Sequence, residues 1–154
     1  MNIIELKDKH IAAGDTKLTG IYSQLAALLN ELKKKELSQA SIDFINEHIE
    51  ILNNSPLNEK ELAKLAKQKQ TILLKHVEKE HKIVPKNYYR NLWMLFGMSG
   101  IGLPIGVAFG LSIGNIGLLG LGLPIGMAIG VFIGAAMDKK ALNESRQLNL
   151  EIKY

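Results

Sequence analysis

The side chains best suited to chemistry in this sequence are its four histidines, His10, His48, His76 and His81. His76 and Glu80 are four residues apart, which would place both on one face of a helix, whereas His81 lies further round that helix. A metal site needs at least one more ligand, and no paired motif supplies it. We interpret these histidines as surface residues of a charged helix and predict no metal, cofactor or catalytic site.

Other features of the composition exclude further classes of function. The chain has no cysteine, so disulfides and thiolate metal sites are excluded. It also has no nucleophile elbow, phosphate-binding loop or HExxH motif. Positions 1–90 contain fifteen Lys and Arg against twelve Asp and Glu, a mild and mixed charge without aromatic interleaving. The sequence therefore predicts neither an enzyme nor a nucleic-acid-binding protein.

An internal repeat dominates the second half of the chain. Residues 102–114 (GLPIGVAFGLSIG) return as residues 122–134 (GLPIGMAIGVFIG), with nine of thirteen positions identical. Both copies lie within an uncharged run from Asn91 to Met137. The offset of twenty residues corresponds to about 30 Å of helix, roughly the thickness of a bilayer's hydrocarbon core. We predict an all-α membrane protein in which a hairpin, residues 84–137, crosses the bilayer at about 91–114 and 119–137.

Each copy of the repeat carries a ladder of glycines at four-residue spacing, a pattern typical of close helix packing in membranes. The ladders are Gly102, Gly106, Gly110 and Gly114, and Gly122, Gly126, Gly130 and Gly134. A turn about residue 116 pairs Gly110 with Gly122, and a turn about residue 118 shifts the pairing by one rung. Whether the ladders pack within one subunit or between subunits stays open. Further small residues favour homo-oligomerisation: Ala108, Ser112, Ala128, Ala135 and Ala136.

The remaining residues of the hairpin suggest little chemistry. Pro104 and Pro124 each remove a backbone hydrogen bond, so we expect them to bend their helices. The run from Asn91 to Met137 contains no ionisable side chain, which argues against a coupled transporter. A passive pore lined by glycine backbone and by polar side chains remains open, and the candidates are Ser99, Ser112 and Asn115.

Aromatic and basic residues flank the hairpin and are expected to anchor it at the membrane interface. They are Lys86, Tyr88, Tyr89, Arg90, Trp93, Lys139 and Lys140. Because the cations lie at the two outer ends and none lies near the turn, the positive-inside rule places both termini in the cytoplasm. With the lipid bilayer as its surroundings, the hairpin should have only its tip on the far side.

The part outside the membrane is predicted to be helical. Residues 1–83 should form a cytoplasmic domain of about three amphipathic helices, since apolar residues recur at three- and four-residue spacing. We expect helix over residues 2–35 with a break at Gly14-Asp15, a second helix capped by Ser38, and a third over about 57–82. Residues 138–154 are predicted to form an amphipathic tail that returns toward this domain.

The hairpin and its flanks resemble a known type of protein. The residues that carry the resemblance are VPKNYYRNLW from Val84, the doubled GLPIG, and MDKKA from Met137. Over about Val84 to Gln147 the chain is similar to uncharacterised small bacterial membrane proteins with a glycine-zipper hairpin. The resemblance implies a bacterial inner-membrane location and a zipper-packed hairpin, and it implies no activity or binding residue.

These observations favour a homo-oligomeric membrane scaffold or channel-like assembly, with the cytoplasmic helices docking or sensing a cytosolic protein partner. Two alternatives stay open. One is a monomeric membrane anchor or adaptor whose hairpin tethers the helical domain. The other is a small toxin-like pore.

Overall fold

In a computed structural model of the protein, the described residues are 2–7, 16–115, 117 and 119–152. They form α-helices, and no strand occurs among them. The elements are α1 (Thr16–Leu32), α2 (Gln39–Asn54), α3 (Glu59–His81), α4 (Tyr88–Phe96), a π-helical segment (Gly97–Gly102), α5 (Leu103–Ile113) and α6 (Leu119–Asn143). The chain divides into two compact units, Met1–Val84 with Leu148–Tyr154, and Pro85–Gln147.

In the first unit, α3 packs against both α1 and α2. The predicted apolar faces form its core, with Leu25, Ile49 and Val77 fully buried. Ser38 caps α2 as expected, because its hydroxyl accepts a hydrogen bond from the backbone N–H of Ser41. Asn58 caps α3 in the same way.

The beginning of the chain differs from the prediction of a helix over residues 2–35. Residues 2–7 are not helical, and α1 covers Thr16–Leu32 of the described residues. The reason lies in the backbone hydrogen bonds, since the N–H groups of Ile4 and Lys7 bond to asparagine side chains on α2. The break expected at Gly14-Asp15 lies outside the described residues.

The second unit is the hairpin. The segments α4, π and α5 form one continuous helix, Tyr88–Ile113, and α6 packs against all three. This helix and the stretch Gly120–Asn143 are both long and apolar enough to cross a membrane. The first helix begins before Asn91 and the second continues past Met137, so both are longer than the predicted spans.

The tail is helical only at its start. Helix α6 ends at Asn143, and Ser145 has a φ of 55°, in the left-handed region that stops a helix. Leu148 and Ile152 are buried in the core of the first unit. The expected return of the tail toward the first domain therefore occurs in a non-helical segment.

Candidate functional site

Glycine backbones form the contact between the two long helices of the second unit. A Cβ atom added to Gly122 would lie 2.7 Å from the Cα of Gly106, and one added to Gly126 would lie 2.6 Å from the Cα of Gly102. Carbon atoms in favourable contact are about 3.5–4.0 Å apart, so no side chain fits at either position. The two backbones approach each other as closely as a glycine groove permits.

The same contact continues toward the base of the hairpin. A Cβ on Gly130 would lie 2.7 Å from the carbonyl carbon of Trp93, and one on Gly134 would lie 2.5 Å from the Cα of Arg90. Gly97 joins the interface, since its Cβ would lie 2.9 Å from the Cα of Gly130. Gly97 was not predicted to pack here, because it precedes Gly102 by five residues and breaks the four-residue pattern.

The register of the hairpin differs from the predicted one. Gly122 lies against Gly102 and Gly106, and Gly126 against Gly97 and Gly102, instead of Gly110 opposite Gly122. Two ladders with the same step fit each other at several rungs, so their spacing alone does not select one.

Gly110 is buried as expected of a packing residue, whereas Gly114 is exposed. Gly114 ends α5 with a φ of 69°, and a Cβ there would meet nothing within 4 Å. Its role is to terminate the helix, because glycine adopts this conformation without strain.

The π-helical segment precedes Pro104. A proline has no N–H group, and its ring displaces the carbonyl four residues earlier. The helix accommodates this by widening its turn before Pro104. The backbone N–H of Leu103 donates to the carbonyl of Met98, which is five residues earlier where an α-helix would use the fourth. The hydroxyl of Ser99 donates to the carbonyl of Leu95 at 2.9 Å, one turn earlier in the same helix. Pro124, in contrast, lies inside an uninterrupted α6.

Asp138 on α6 contacts the first turn of α4, a role that was not predicted for it. Its carboxylate accepts hydrogen bonds from the backbone N–H groups of Tyr89 at 3.1 Å and Arg90 at 2.9 Å. These N–H groups belong to the first turn of α4, where no residue of the same helix can serve them. Asn87, at the start of α4, makes no side-chain cap. A residue on α6 thus supplies the cap of α4, with its negative charge at the positive end of the helix dipole.

Two of the predicted interface anchors, Tyr89 and Arg90, provide the N–H groups of this cap. Tyr88 and Tyr89 pack edge to face with ring centroids 5.2 Å apart, and Trp93 lies beside Phe96. Tyr89 also bonds to Arg146, which pairs with Glu144. The basic anchors Lys86, Lys139 and Lys140 are exposed, and Arg90 is half-buried.

The outward faces of the hairpin carry a second row of small residues on each helix. Gly100, Pro104 and Ala108 are exposed at four-residue spacing, and Gly120, Pro124 and Ala128 repeat the pattern. A Cβ on Gly100 or Gly120 would meet nothing within 4 Å. Ser112 and Asn115 are exposed as well, and the Asn115 side chain accepts a hydrogen bond from the N–H of Gly117 at the turn.

Three of the four histidines lie at the contact between α2 and α3. The Oγ of Ser41 lies 3.0 Å from Nε2 of His76 and 2.8 Å from Nε2 of His81. The ring of Phe44 stacks on His76 and lies 4.3 Å from the ring of His48. These three histidines are partly exposed, and α3 brings His76 and His81 to the same hydroxyl, a contact that their interpretation as surface residues did not include. His10 lies outside the described residues.

This serine–histidine cluster does not have the access that catalysis requires. A serine next to histidine can be an activated nucleophile, but it must reach a substrate. Ser41 is only 2% exposed, and its hydroxyl also bonds to Ser38 at 3.1 Å. Among the described residues, no group of three or more His, Asp or Glu side chains is arranged to hold a metal ion. We interpret the cluster as a polar contact that fixes α2 on α3.

His48 makes the stability of this contact dependent on pH. Burial, with added repulsion from Lys69 and His76, lowers the pKa of His48 below its ordinary value of 6.5. The unfolded chain therefore takes up a proton at this position before the folded chain does. Stability associated with His48 is complete above about pH 6.5 and is lost as the pH falls below that value.

We expect the protein to unfold more readily at about pH 5.5 than at about pH 8. In a His48→Gln chain, the difference in the free energy of unfolding between these two pH values should be smaller. Urea unfolding followed by circular dichroism at both pH values measures this. An unchanged difference in the variant would show that His48 does not cause it.

The fold is thus all-α, with two helices that are long and apolar enough to cross a membrane. Comparison of the chain with protein-family models, with curated proteins and with solved structures gave no match.

Proposed function

We propose that the protein is an integral membrane protein whose hairpin associates with copies of itself into a scaffold or channel-like assembly. The observation that supports insertion into a membrane is the low burial of the two long helices. In each, only 22% of the most apolar stretch is buried. A helix in the core of a water-soluble protein would be mostly buried, and large exposed apolar patches mark interaction or membrane surfaces.

Large apolar side chains cover the outside of the hairpin. Phe132 is 79% exposed and Leu111 is 75% exposed, and Leu95, Phe96 and Leu121 are each about 60% exposed. Such a surface suits lipid chains, while the helical backbones satisfy their own hydrogen bonds. The basic residues at the base then keep both termini on the cytoplasmic side of a bacterial inner membrane, consistent with the resemblance to glycine-zipper proteins.

Self-association is supported by the second row of small residues. The glycine ladders are used within the chain, since Gly122, Gly126, Gly130 and Gly134 all contact the backbone of the first helix. The outward rows at Ala108 and Ala128 remain exposed. Small residues allow another helix to approach closely, and this close packing drives association in lipid. Through these rows the hairpins of neighbouring copies pack together, with the helices of the first unit left to dock a cytosolic partner.

A double variant, Ala108→Leu with Ala128→Leu, tests this assembly. Leucine at both positions should hold neighbouring hairpins apart and weaken association by about tenfold or more. Native mass spectrometry of protein released from lipid nanodiscs gives the subunit number before and after the change. Val107→Leu with Met127→Leu is the matched control, because both residues are exposed neighbours of the row that are already large.

The outcomes separate the candidate functions. A wild-type monomer at membrane-like density would contradict the assembly and favour the anchor or adaptor. An assembly that conducts no ions in liposomes would exclude the channel and favour the scaffold. Recovery of the chain in water without detergent would overturn membrane insertion itself.

A further inference from the structure

Two asparagines on α2 hold the first residues of the chain by their main-chain groups. Asn46 accepts a hydrogen bond from the N–H of Ile4 at 2.9 Å and donates to the carbonyl of Asn2 at 3.3 Å. Asn53 accepts from the N–H of Lys7 at 2.9 Å and donates to the carbonyl of Glu5 at 3.0 Å. The four bonds involve no side chain of the bound segment, which we call the N-terminal segment (residues 2–7).

Both asparagines use the same geometry. A side-chain amide has one acceptor and two donor hydrogens, so it can bond to a carbonyl and to an N–H of another chain at once. Asn46 brackets Ile3 between its two bonds, and Asn53 brackets Leu6. Each amide therefore acts on the peptide as a neighbouring strand's peptide group does in a sheet.

The spacing of the two amides matches an extended peptide. Asn46 and Asn53 are seven residues apart on a helix, about 10.5 Å along its axis. Ile3 and Leu6 are three residues apart, which corresponds to about 10 Å in an extended chain. Because the two distances match, one face of α2 can form hydrogen bonds with an extended peptide backbone at two points at the same time.

Burial of aliphatic side chains adds to these bonds. Ile3 is 6% exposed and belongs to the core of the first unit, and Leu6 packs against that core. Asn2, Glu5 and Lys7 are exposed, so their side chains contribute little to recognition. A cleft of about 570 Å³ runs along residues 2–5 and leaves the segment open on one side.

We propose that this face of α2 is a peptide-binding groove, and that the N-terminal segment of a second copy occupies it by exchange. Every copy carries the residues that the groove binds. A segment supplied by a neighbour would keep all four hydrogen bonds and the burial of Ile3. Exchange of identical elements is a low-cost route to association. The groove belongs to the first unit, so this inference goes beyond the packing proposed for the hairpin.

Peptide binding tests the groove directly. A chain lacking residues 2–7, purified in detergent, is titrated into a fluorescent peptide of sequence NIIELK, and fluorescence anisotropy reports binding. We expect saturable binding that weakens by about tenfold or more in an Asn46→Ala, Asn53→Ala background, because four hydrogen bonds are lost. The full-length chain should bind about tenfold more weakly than the shortened one, since its own segment competes.

A peptide carrying Ile3→Ser is the matched control, because it keeps the backbone bonds and loses the buried side chain. Equal binding of both peptides, or no effect of the asparagine changes, would overturn the proposal. If the shortened chain does not fold, the wild-type chain is photo-crosslinked to a peptide with photo-leucine at the Ile3 position. Crosslinks should then map to α2, and crosslinks scattered over the chain would contradict the groove. Neither measurement depends on whether the hairpins associate.

Discussion

Replacing Gly126 with alanine is expected to destabilise the closed hairpin by about 2 kcal/mol. The added methyl group would lie 2.5 Å from the backbone nitrogen of Gly102 and 2.6 Å from its Cα, and it would also meet the carbonyl of Gly97. All of these atoms belong to the main chain and cannot rotate away. The helices must therefore separate, which weakens the contacts at the neighbouring rungs as well. Gly126→Val should be more severe, because it adds two further methyl groups.

Denaturation by sodium dodecyl sulfate in a mild detergent measures this effect. The fluorescence of Trp93, the only tryptophan of the chain, reports opening, because the backbone of Trp93 packs against Gly130. Circular dichroism shows whether the separated helices remain helical.

Gly120→Ala is the matched control on the same helix. A Cβ at Gly120 meets nothing within 4 Å, and alanine favours helix over glycine by about 1 kcal/mol. The same substitution is therefore expected to stabilise the chain slightly at Gly120 and to destabilise it at Gly126. Equal effects at the two positions would mean that the close backbone contact contributes nothing to stability.

The sequence predicted the helices well because their apolar residues recur with a clear period. The stripe through Ile45, Ile49 and Leu52 is buried as predicted, and Ser38 begins α2. Local hydrogen bonding explains why Ser38 could be recognised, since a serine before an apolar helix satisfies the nearby N–H groups. The two apolar helices of the hairpin follow from composition in the same way.

Contacts between distant residues were harder to predict. The pairing of Gly122 with Gly106 depends on a choice among equivalent rungs, and the spacing of the glycines does not make that choice. Ser41 bonds to His76 and His81 across 35 and 40 residues. Asn46 bonds to the N-terminal segment across more than 40 residues. None of these contacts has a periodic signal, because each depends on how whole helices pack.

The loss of Asp138 is expected to cause the second large effect. In an Asp138→Ala chain, the backbone N–H groups of Tyr89 and Arg90 lose their acceptor, and the 8% exposure of Asp138 shows that little water replaces it. Hydrogen bonds to a charged group contribute about 1.5–3 kcal/mol each, and loss of a helix cap costs up to about 2 kcal/mol. We expect the hairpin to lose about 3 kcal/mol, mostly by fraying of α4.

Two variants separate the cap from other roles of this position. Asp138→Asn keeps the shape and one acceptor oxygen but removes the charge, so it should lose about half as much stability. Lys139→Ala changes an exposed neighbour and should have almost no effect. Amide hydrogen exchange locates the change, because the N–H groups of Tyr89 and Arg90 should exchange faster in Asp138→Ala while those near Gly106 change less. If Asp138→Ala were as stable as the wild type, α4 would not need a cap from α6, and the hairpin would be held at its base by the glycines alone.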